Sequence, residues 1–390
     1  MIIFAELQMQ GDKHLQVNSG LLRIFLNHFF EKKILVICDE KHKKGLVKKT
    51  PNIGRIIFQS FKFTGDNELN KKYIILKLVR ETILAFKLFK TARRITCEVI
   101  IFASAFPFTA IFLRFFSKIF KQKIIVCQHG ELGILTLHKN KFTTQIYRYV
   151  ISSFFRNRNL NIIPIFFGES VKNKLFSLFP NFTKENIIVI DHPYEYNIFY
   201  NHRTLKNPIV FLNIGTGIIT KKSHYIYELA KLCRENIEKD KIKFFQIGNI
   251  SKEVLSYSNS LVKQLNKENS FMSTDVFENS LNNADYFIYF FTDNSLYDLC
   301  PSGTFFDAIK YQKPIVALHN PFFDYYFEKL GNIGYLCNNI NEMAILLNNL
   351  SLNLNQHEYS LQLENLKKSS DLLSIESITQ KFSEQYNKIV

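Results

Sequence analysis

The sequence predicts an α/β protein built from two Rossmann-like, doubly wound domains. Its 390 residues suit two or three domains, 46% of them are hydrophobic, and short apolar runs alternate with longer segments of helical period. The chain has only 14 Gly and 9 Pro and no visible repeat or low-complexity tract, which excludes disordered, fibrous and solenoid classes. A compact fold of the size of an enzyme remains.

Seven apolar runs of strand length mark the first half of the chain. Most are continuous, which is the pattern of strands buried on both faces of a parallel sheet. The runs cover 2–7, 34–38, 55–58, 99–103, 124–128, 162–167 and 187–190, and segments of helical period cover 19–31, 70–94, 106–121, 142–156 and 170–178. Residues 1–190 are therefore expected to form the N-terminal Rossmann-like domain.

The second half repeats this alternation. Its predicted strands cover 209–213, 242–247, 270–273, 286–291 and 314–318. Residues 191–208 contain two prolines, several aromatic residues and no steady period, so they are expected to be a linker. The C-terminal Rossmann-like domain then covers 209–355, and the helical residues 356–390 are expected to pack back on the N-terminal domain.

The net charge of +16 is concentrated in the first half. Residues 1–200 contain 31 Lys and Arg against 14 Asp and Glu, whereas residues 201–390 contain 19 against 20. An AT-rich coding sequence also raises the lysine content, but it acts on both halves alike. We therefore expect the N-terminal domain to face an anionic partner, such as a phospholipid surface, a phosphorylated lipid or nucleic acid.

Two apolar, basic segments in the first half indicate contact with a membrane. Residues 105–120 are interrupted by Arg114 and Lys118 and number only 16, fewer than the roughly 20 that a bilayer crossing needs. Their composition is typical of an amphipathic helix that lies in the plane of the headgroups, and residues 71–94 share it. The alternative is that both segments are ordinary core-facing helices.

The chain is expected to be cytoplasmic and peripheral on the inner membrane. The polar run 8–14 follows the first apolar residues at once, so a signal peptide is not predicted. The six cysteines lie at least 30 residues apart and form no C-x-x-C motif. This spacing predicts free thiols in a reducing compartment and no zinc site.

Residues 285–318 are the most informative stretch. A buried strand, a polar loop, Ser302-Gly303-Thr304 at a helix start and a second strand together predict a helix N-terminus that is open to an anion. The N–H groups of Gly303 and Thr304, the hydroxyls of Ser302 and Thr304 and the helix dipole all favour a phosphate. Asp307, one turn into the helix, is placed to accept hydrogen bonds from a ribose diol. The alternative is a plain serine N-cap on an ordinary helix.

At this stretch the sequence resembles the C-terminal domain of GT-B nucleotide-sugar glycosyltransferases, in particular the family 4-like enzymes of bacterial surface polysaccharides. Asp307-Ala308 stands at the family's acidic-alanine pair, and residues 312–316 stand at its turn into the next strand. The resemblance implies two facing Rossmann-like domains with an interdomain cleft. Many retaining members carry a second acidic residue where this chain has Leu299, with Asp298 beside it, so the stereochemistry stays open.

A glycine-rich turn follows the first strand of the second domain. Glycines let the backbone approach a pyrophosphate, and a lysine nearby neutralises it. The resemblance implies this role for Gly215, Thr216 and Lys221, with Lys222 as the alternative lysine. It also implies that Asn249, at the end of another strand, lies near the nucleobase. The alternative is a simple turn followed by two solvated lysines.

The first domain is expected to hold the acceptor and, in an inverting enzyme, the general base. His129 ends a buried strand, where an imidazole can take a proton from a sugar hydroxyl. Asp12 and His14, in the loop after the first strand, lie at the same predicted sheet edge and are the other candidates. Glu169 follows a third strand at this edge. For each histidine the alternative is a structural role.

Absent motifs narrow the chemistry. The chain has no D-x-D motif, which is the metal-binding carboxylate pair of the GT-A glycosyltransferase fold, so we expect neither a metal nor a cofactor. It has no P-loop and no G-x-S-x-G motif, which disfavours P-loop nucleotide hydrolysis and α/β-hydrolase chemistry. The predicted function is transfer of a sugar from a nucleotide-sugar donor to a lipid-linked or cell-surface glycan, in capsule, O-antigen or lipooligosaccharide synthesis, with no nucleic acid as partner. The alternatives are a sugar-nucleotide epimerase of the same fold, a nucleic-acid or membrane binding protein and an inactive scaffold.

Overall fold

The computed structural model describes residues 1–50, 53–61, 74–105, 107–120, 122–136, 142–156, 161–196, 204–265, 274–292 and 298–390. The chain separates into two compact units, which we call the N-terminal and C-terminal units. The first comprises Met1–Glu195, Leu299–Pro301 and Leu373–Val390, and the second comprises Tyr196–Asp298 and Ser302–Leu372. The strand predicted at 270–273 and part of the predicted linker lie outside the described residues.

The elements alternate along the chain as the apolar runs predict. The strands are β1 (Ile2–Glu6), β2 (Ile34–Asp39), β3 (Ile56–Phe61), β4 (Val99–Ser104), β5 (Lys123–Gln128), β6 (Ile162–Phe167), β7 (Ile188–Ile190), β8 (Ile209–Ile214), β9 (Ile242–Ile247), β10 (Val262–Gln264), β11 (Tyr286–Tyr289), β12 (Ile315–Leu318) and β13 (Gly334–Cys337). The α-helices are α1 (Leu15–His28), α2 (Glu40–Lys49), α3 (Ile74–Arg94), α4 (Pro107–Phe120), α5 (Phe142–Arg156), α6 (Glu169–Leu178), α7 (Tyr225–Leu232), α8 (Arg234–Glu238), α9 (Lys252–Leu255), α10 (Thr274–Asn283), α11 (Gly303–Lys310), α12 (Pro321–Leu330), α13 (Ile340–Leu352), α14 (Gln356–Leu372) and α15 (Ile375–Ile389). Short 3-10 helices cover Ile53–Arg55, Gly130–Leu135 and Ile219–Lys221.

The N-terminal unit is organised around a parallel sheet in the order β3-β2-β1-β4-β5-β6-β7. Successive side chains of a strand point to opposite faces. Ile3 and Ala5 of β1 pack in the core that α3, α4, α5 and α6 cover, whereas Ile2 and Phe4 pack in the core that α1, α2 and α15 cover. Both faces are therefore apolar, which explains the continuous hydrophobic runs.

The C-terminal unit has a second parallel sheet in the order β10-β9-β8-β11-β12-β13. One face packs against α7 and α13 through buried residues such as Phe211, Tyr227 and Leu347. The helix α14 packs on α11 and α12. This arrangement gives α11, whose start carries the predicted phosphate-binding residues, a fixed position in the unit.

The predicted fold class is confirmed, and the deviations occur where few apolar residues lie in a row. The edge strands β10 and β13 are missing from the prediction because each has only three or four residues and is partly exposed. The helix α2 is also missing, because half of its residues are lysine and only His42 and Leu46 are buried. None of the helices in the described part of the chain combines the length and apolar character that a bilayer crossing requires.

The residues grouped at the sequence level as a C-terminal helical stretch, 356–390, form two helices that pack in different units. The helix α14 belongs to the C-terminal unit. The helix α15 contacts α1 and β7 in the N-terminal unit and buries Ile378 and Phe382 in the core there. Phe382 meets Phe25 of α1 edge to face, with ring centroids 5.2 Å apart.

Candidate functional site

Each sheet has a point at which its strand order reverses. The chain runs outward from β1 to β2 and β3 and then continues at β4 on the other side of β1, and it does the same at β8 and β11 in the second sheet. Ligands of doubly wound folds bind at the carboxyl ends of the strands beside this point. The residues predicted from the sequence follow β1 and β5 in one unit and β8, β9 and β11 in the other.

Two glycines let three segments meet at the carboxyl edge of the C-terminal sheet. A Cβ on Gly215, which follows β8 with a φ of 101°, would lie 3.0 Å from Cγ2 of Thr304 at the start of α11. A Cβ on Gly248, which follows β9 with a φ of 127°, would lie only 2.0 Å from the carbonyl oxygen of Gly215. A side chain at Gly248 would therefore push the two loops apart. The glycine-rich turn lies directly against the helix assigned to the diphosphate.

The N-terminus of α11 is open. Ser302 occupies the N-cap position, but its side chain caps no backbone N–H group, and its Oγ lies instead 3.0 Å from Oγ1 of Thr304. Gly303 is exposed, and a Cβ there would meet no atom within 4 Å. Ser302 is therefore not a plain N-cap. A helix start without a side-chain cap and with two adjacent hydroxyls can bind the oxygens of a phosphate.

Asp307 lies one turn into α11 and is half-buried. Burial and then the negative charge of Asp307 raise the pKa of Tyr289. Burial raises the pKa of Tyr311, and the charges of Glu278 and then Asp307 raise it further. The hydroxyl of Tyr289 donates to the carbonyl oxygen of Thr304 at 2.6 Å. This bond ties β11 to the first turn of α11 and fixes the direction of the helix N-terminus.

The two lysines after the glycine-rich turn point in different directions. Nζ of Lys221 lies 6.0 Å from the ring centroid of Phe291, just beyond β11. Lys222 has a φ of 56°, and its Nζ lies 5.5 Å from the ring centroid of Tyr225 on α7. Lys221 is therefore directed toward Phe291 at the end of β11, whereas Lys222 is directed toward α7.

A buried polar network lies at the ends of β8 and β9, beneath the loops that follow these strands. The side-chain amide of Gln246 donates to Oδ1 of Asn213 at 3.2 Å, and its Oε1 accepts from the hydroxyl of Tyr227 at 2.7 Å. Thr216 and Asn249 lie above this network and are exposed. Their side chains are accessible to a ligand at this edge of the sheet.

In the N-terminal unit, a buried carboxylate organises the loop after β1. Oε1 of Glu6 accepts from the backbone N–H groups of Gln8 at 2.8 Å and Met9 at 3.1 Å. Glu6 also accepts from the hydroxyl of Ser104 at 2.6 Å and from Nδ2 of Asn18 at 3.0 Å. These four hydrogen bonds offset the cost of burying a charge. They hold the start of the loop at the end of β1.

His42 of α2 fixes the rest of this loop. Its Nδ1 lies 2.7 Å from the carbonyl oxygen of Gly11, and its Nε2 lies 3.0 Å from Nδ2 of Asn18. A carbonyl oxygen only accepts, so Nδ1 of His42 carries the proton and Nε2 accepts from Asn18. The loop that carries Asp12 and His14 is thus anchored at both ends.

Three histidines come together at the carboxyl edge of the N-terminal sheet. The ring centroid of His129 lies 4.9 Å from that of His14 and 4.9 Å from that of Phe167. Phe167 also contacts His192, at 5.6 Å. Two of the predicted candidates for the base, His129 and His14, are therefore neighbours, and the structure adds a third histidine.

His129 is a neutral imidazole with an available lone pair. Its Nε2 lies 2.7 Å from the carbonyl oxygen of Ala103, which assigns the proton to Nε2 and the lone pair to Nδ1. Burial lowers the pKa of His129 well below its usual value, and His14 and His192 lower it further. Burial also lowers the pKa of His14 and brings that of His192 to about 3. All three are uncharged at neutral pH, and Nδ1 of His129 can accept a proton.

Known proteins resemble this chain in three-dimensional structure and not in sequence. No protein-family model and no curated protein matches the sequence. Among solved structures, HepE from Anabaena in complex with UDP and glucose matches with a TM-score of 0.66 at 14% identity, over 99% of both chains. WaaG, a glycosyltransferase involved in lipopolysaccharide biosynthesis, matches with a TM-score of 0.61 at 10% identity, over 98% of this chain and 99% of WaaG.

A plant protein of known structure is also similar to this chain. UGT89C1 from Arabidopsis thaliana, complexed with UDP-L-rhamnose, matches with a TM-score of 0.58 at 10% identity, over 99% of this chain and 97% of UGT89C1. The chain has the GT-B fold. The two Rossmann-like domains expected from the resemblance are confirmed, with the two sheets described above as their centres.

Within this GT-B chain, three polar residues of the N-terminal unit are missing from the sequence-based prediction. Glu6 stands at the end of an otherwise apolar strand, and such a buried carboxylate is a signal that could have been used. His192 follows β7 just as His129 follows β5, but it lies in residues read as a linker. Glu131 is two residues from His129, and its Oε1 accepts the backbone N–H of His129 at 2.7 Å.

The other candidate residues predicted from the sequence do not belong to the histidine cluster. Asp12 is exposed in the loop after β1, and Glu169 forms an ion pair with Lys172 one turn further along α6. Leu299 is fully buried in the core of the N-terminal unit, so an apolar side chain fills the position where many retaining members have an acidic residue. Among the described residues, no group of three or more His, Cys, Asp or Glu is arranged to hold a metal ion.

The buried environment of the Glu131 carboxyl group can be tested through the pH dependence of the free energy of unfolding. Burial raises the pKa of Glu131 from 4.5 to about 7, Glu6 and Glu81 also raise it, and the N–H of His129 opposes them. The folded state therefore holds the proton more tightly than the unfolded chain, and the free energy of unfolding falls as pH rises from about 4.5 to about 7, by up to about 3 kcal/mol.

Replacing Glu131 by Gln is expected to remove this pH dependence. The measurement is the free energy of unfolding in urea at several pH values, with Glu31→Gln, an exposed residue, as the control. The difference between Glu131→Gln and wild type should grow between pH 5 and 7 in favour of the variant. A difference that is constant with pH would contradict the buried environment of this carboxyl group.

Proposed function

We propose that this protein is a glycosyltransferase whose C-terminal unit binds a nucleotide-sugar donor. The observation that carries the proposal is the open N-terminus of α11, with the Ser302 and Thr304 hydroxyls 3.0 Å apart and the glycine-rich turn of Gly215 in contact with Thr304. Lys221 adds a positive charge directed to the same edge. HepE and UGT89C1 are solved with UDP, UDP-glucose or UDP-L-rhamnose, which supports a uridine diphosphate sugar as the donor.

Each group of this edge has a part in the proposal. The N–H groups of α11, the hydroxyls and Lys221 stabilise the negative charge of the departing nucleoside diphosphate. Asp307 accepts hydrogen bonds from the ribose diol, and Asn249 lies near the base. Since the helix N-terminus and a lysine supply the positive potential, the proposed reaction needs neither a metal nor a cofactor.

In an inverting reaction, His129 is the proposed general base. Its Nδ1 takes the proton from the acceptor hydroxyl while the oxygen attacks the anomeric carbon of the donor. The bond from that carbon to the phosphate oxygen breaks, and the nucleoside diphosphate leaves with the bonding electrons. His14 and Asp12 are the alternative bases. The ring of His14 lies 4.9 Å from that of His129, so a base at either histidine acts at the same edge of the N-terminal sheet.

The proposed acceptor is a lipid-linked or cell-surface glycan. WaaG is described as a glycosyltransferase involved in lipopolysaccharide biosynthesis, which supports a role in lipooligosaccharide, O-antigen or capsule assembly. The excess of basic residues in the first half of the chain supports docking on the cytoplasmic face of the inner membrane.

An exposed apolar surface also supports membrane docking. We call it the apolar patch, and it consists of six side chains that are 40 to 61% exposed: Val79, Ile83 and Phe86 on α3, and Phe112, Phe115 and Ile119 on α4. The two helices pack together, with the rings of Phe86 and Phe116 5.9 Å apart. Their opposite sides are buried in the core, for example at Leu88 and Leu113. One side of each helix therefore packs in the core, and the exposed apolar patch on the other side supports contact with a lipid surface.

We expect the protein to sediment with anionic vesicles and much less with neutral ones. Lys87, Lys90 and Lys118 are exposed on the same two helices, and each contributes about 1 kcal/mol of attraction to an anionic surface. The triple variant Lys87→Glu, Lys90→Glu and Lys118→Glu should release most of the bound protein at physiological salt. Equal sedimentation of the wild type with both kinds of vesicle would assign binding to the apolar patch alone. Sedimentation with neither would overturn membrane docking.

The experiment that tests the proposed function is a thermal-shift screen against UDP-, GDP-, CMP- and dTDP-sugars. A ligand at 100 times its Kd stabilises the folded state by about 2.7 kcal/mol, which shifts the melting temperature by several degrees. We expect a shift with a UDP-sugar and with UDP. A folded protein that is stabilised by none of the four classes would contradict the proposal.

One observation favours a second candidate, a sugar-nucleotide epimerase of the same fold. Such an enzyme needs carboxylates near the sugar, and in the N-terminal unit Oε1 of Glu131 accepts the backbone N–H of His129 at 2.7 Å. The exposed apolar patch is unexplained by this function. Incubation with the donor alone separates the two, because an epimerase yields a new nucleotide-sugar whereas a transferase yields at most the nucleoside diphosphate and free sugar.

A further inference from the structure

The helix α2 carries five lysines in ten residues, from Glu40 to Lys49. Lys41, Lys44 and Lys48 are exposed and recur at helical spacing, so they lie along one side of the helix over about 10 Å. Lys13, in the loop after β1, is also exposed. We call these four residues the basic strip: Lys13, Lys41, Lys44 and Lys48.

The basic strip is rigidly connected to the loop that carries two candidates for the base. His42 faces inward between Lys41 and Lys43, is fully buried, and bonds the carbonyl oxygen of Gly11 at 2.7 Å. The next turn of the helix is anchored by Leu46, which is fully buried. The position of the strip relative to Asp12 and His14 is therefore set by the fold.

The basic strip and the apolar patch lie on opposite faces of the same sheet. Leu46 of α2 packs in the core that also contains Ile2 and Phe4, whereas Leu88 of α3 and Leu113 of α4 pack in the core that contains Ile3. A flat lipid surface that receives the apolar patch therefore does not also receive α2. The lysines of the basic strip are therefore available to bind an anionic partner other than that lipid surface.

We propose that the basic strip binds the acceptor, and that the acceptor is a glycan chain carrying carboxylate or phosphate groups. The proposal deepens the proposed function, on which it rests. A row of three lysines over about 10 Å matches an extended chain with several charges better than a single phosphate. The acidic residues of these two segments are Asp12, which is exposed, and Glu40, which is half-buried. Positive charge therefore dominates along the strip, next to the loop of His14, whose ring lies 4.9 Å from that of His129, the proposed base.

The test uses a labelled oligogalacturonate, a chain of carboxylate-bearing sugars, with labelled dextran as the neutral probe. Three proteins are compared: the wild type, the strip variant Lys41→Glu, Lys44→Glu and Lys48→Glu, and the patch variant Lys87→Glu, Lys90→Glu and Lys118→Glu. Both variants reverse three charges in the same unit, on opposite faces of its sheet. Binding is followed by fluorescence anisotropy, and binding to phosphatidylglycerol-containing vesicles is measured on the same samples.

We expect the strip variant to bind oligogalacturonate at least about tenfold more weakly than the wild type and to bind vesicles normally, with the reverse pattern for the patch variant. If the strip variant does not fold, as judged by its circular dichroism and melting temperature, the neutral Lys41→Gln, Lys44→Gln and Lys48→Gln replaces it. The proposal would be overturned if the strip variant bound oligogalacturonate as tightly as the wild type, or if the wild type bound dextran equally well. It would also be overturned if the strip variant lost binding to vesicles instead, because α2 would then be assigned to the membrane. Binding of UDP-glucose, measured in parallel, reports on the proposed function separately.

Discussion

Replacing His129 by alanine is expected to lower the turnover of sugar transfer about a hundredfold or more, while the affinity for the donor changes little. The reason is the lone pair at Nδ1, which the bond from Nε2 to the Ala103 carbonyl oxygen leaves available, in an imidazole that burial keeps neutral. Without it, the acceptor hydroxyl must attack with its proton in place. The measurement is kcat under saturating donor and acceptor, with donor affinity from calorimetry.

His192→Ala is the matched control for this prediction. His192 packs against Phe167 in the same buried cluster, with ring centroids 5.6 Å apart, and it is not one of the proposed bases. We expect it to affect stability more than turnover. If His129→Ala keeps near-normal turnover while Asp12→Ala or His14→Ala does not, the base lies in the loop after β1 and the assignment to His129 is wrong.

Replacing Lys221 or Asp307 by alanine is expected to weaken binding of the nucleotide-sugar by roughly 1.5–3 kcal/mol each, which is a factor of about 10 to 150 in Kd. Lys221 would lose its contact with the diphosphate, and Asp307 its contact with the ribose. The melting temperature of the free protein should hardly change, because Lys221 and Asp307 are both half-buried at a sheet edge. The measurement is calorimetric titration with UDP-glucose.

Lys222→Ala is the matched control, since this lysine is adjacent in sequence but its Nζ lies over Tyr225 of α7. It should bind the donor within about a factor of two of the wild type, as expected for a surface charge outside the site. Unaltered affinity in both Lys221→Ala and Asp307→Ala would contradict the donor site. A larger effect of Lys222→Ala than of Lys221→Ala would exchange their roles.

Much of the fold follows from the sequence because parallel strands leave a strong local signal. The run Ile162–Phe167, for example, is apolar at nearly every position, because both faces of β6 are covered by helices. The same logic places polar residues that directly follow such strands at one sheet edge, and this is how His129 and His14 could be predicted as neighbours. The strands at the sheet edges, such as Val262–Gln264, lack that signal because they are short and partly exposed.

The parts of the site that the sequence does not predict depend on long-range packing. Ser302 turns to Thr304 instead of capping its own helix, at a place where Thr304 also lies against Gly215, almost 90 positions away in the chain. The raised pKa of Glu131 arises from burial, and from Glu6 and Glu81, which are 125 and 50 positions away in the chain. The basic strip could be seen as a lysine-rich segment, but its link to the loop after β1 through His42 and Gly11 requires the folded structure.

The proposed donor site comprises the start of α11 and the turn after β8, where we infer that a nucleotide-sugar binds. Hydrogen–deuterium exchange with and without UDP-glucose tests it most directly, because amides that donate to phosphate oxygens exchange more slowly. We expect slower exchange in peptides covering 213–222 and 302–310, and unchanged exchange in α2 and in the apolar patch. Saturable binding of UDP-glucose without protection of either peptide, or protection confined to other parts of the chain, would contradict it.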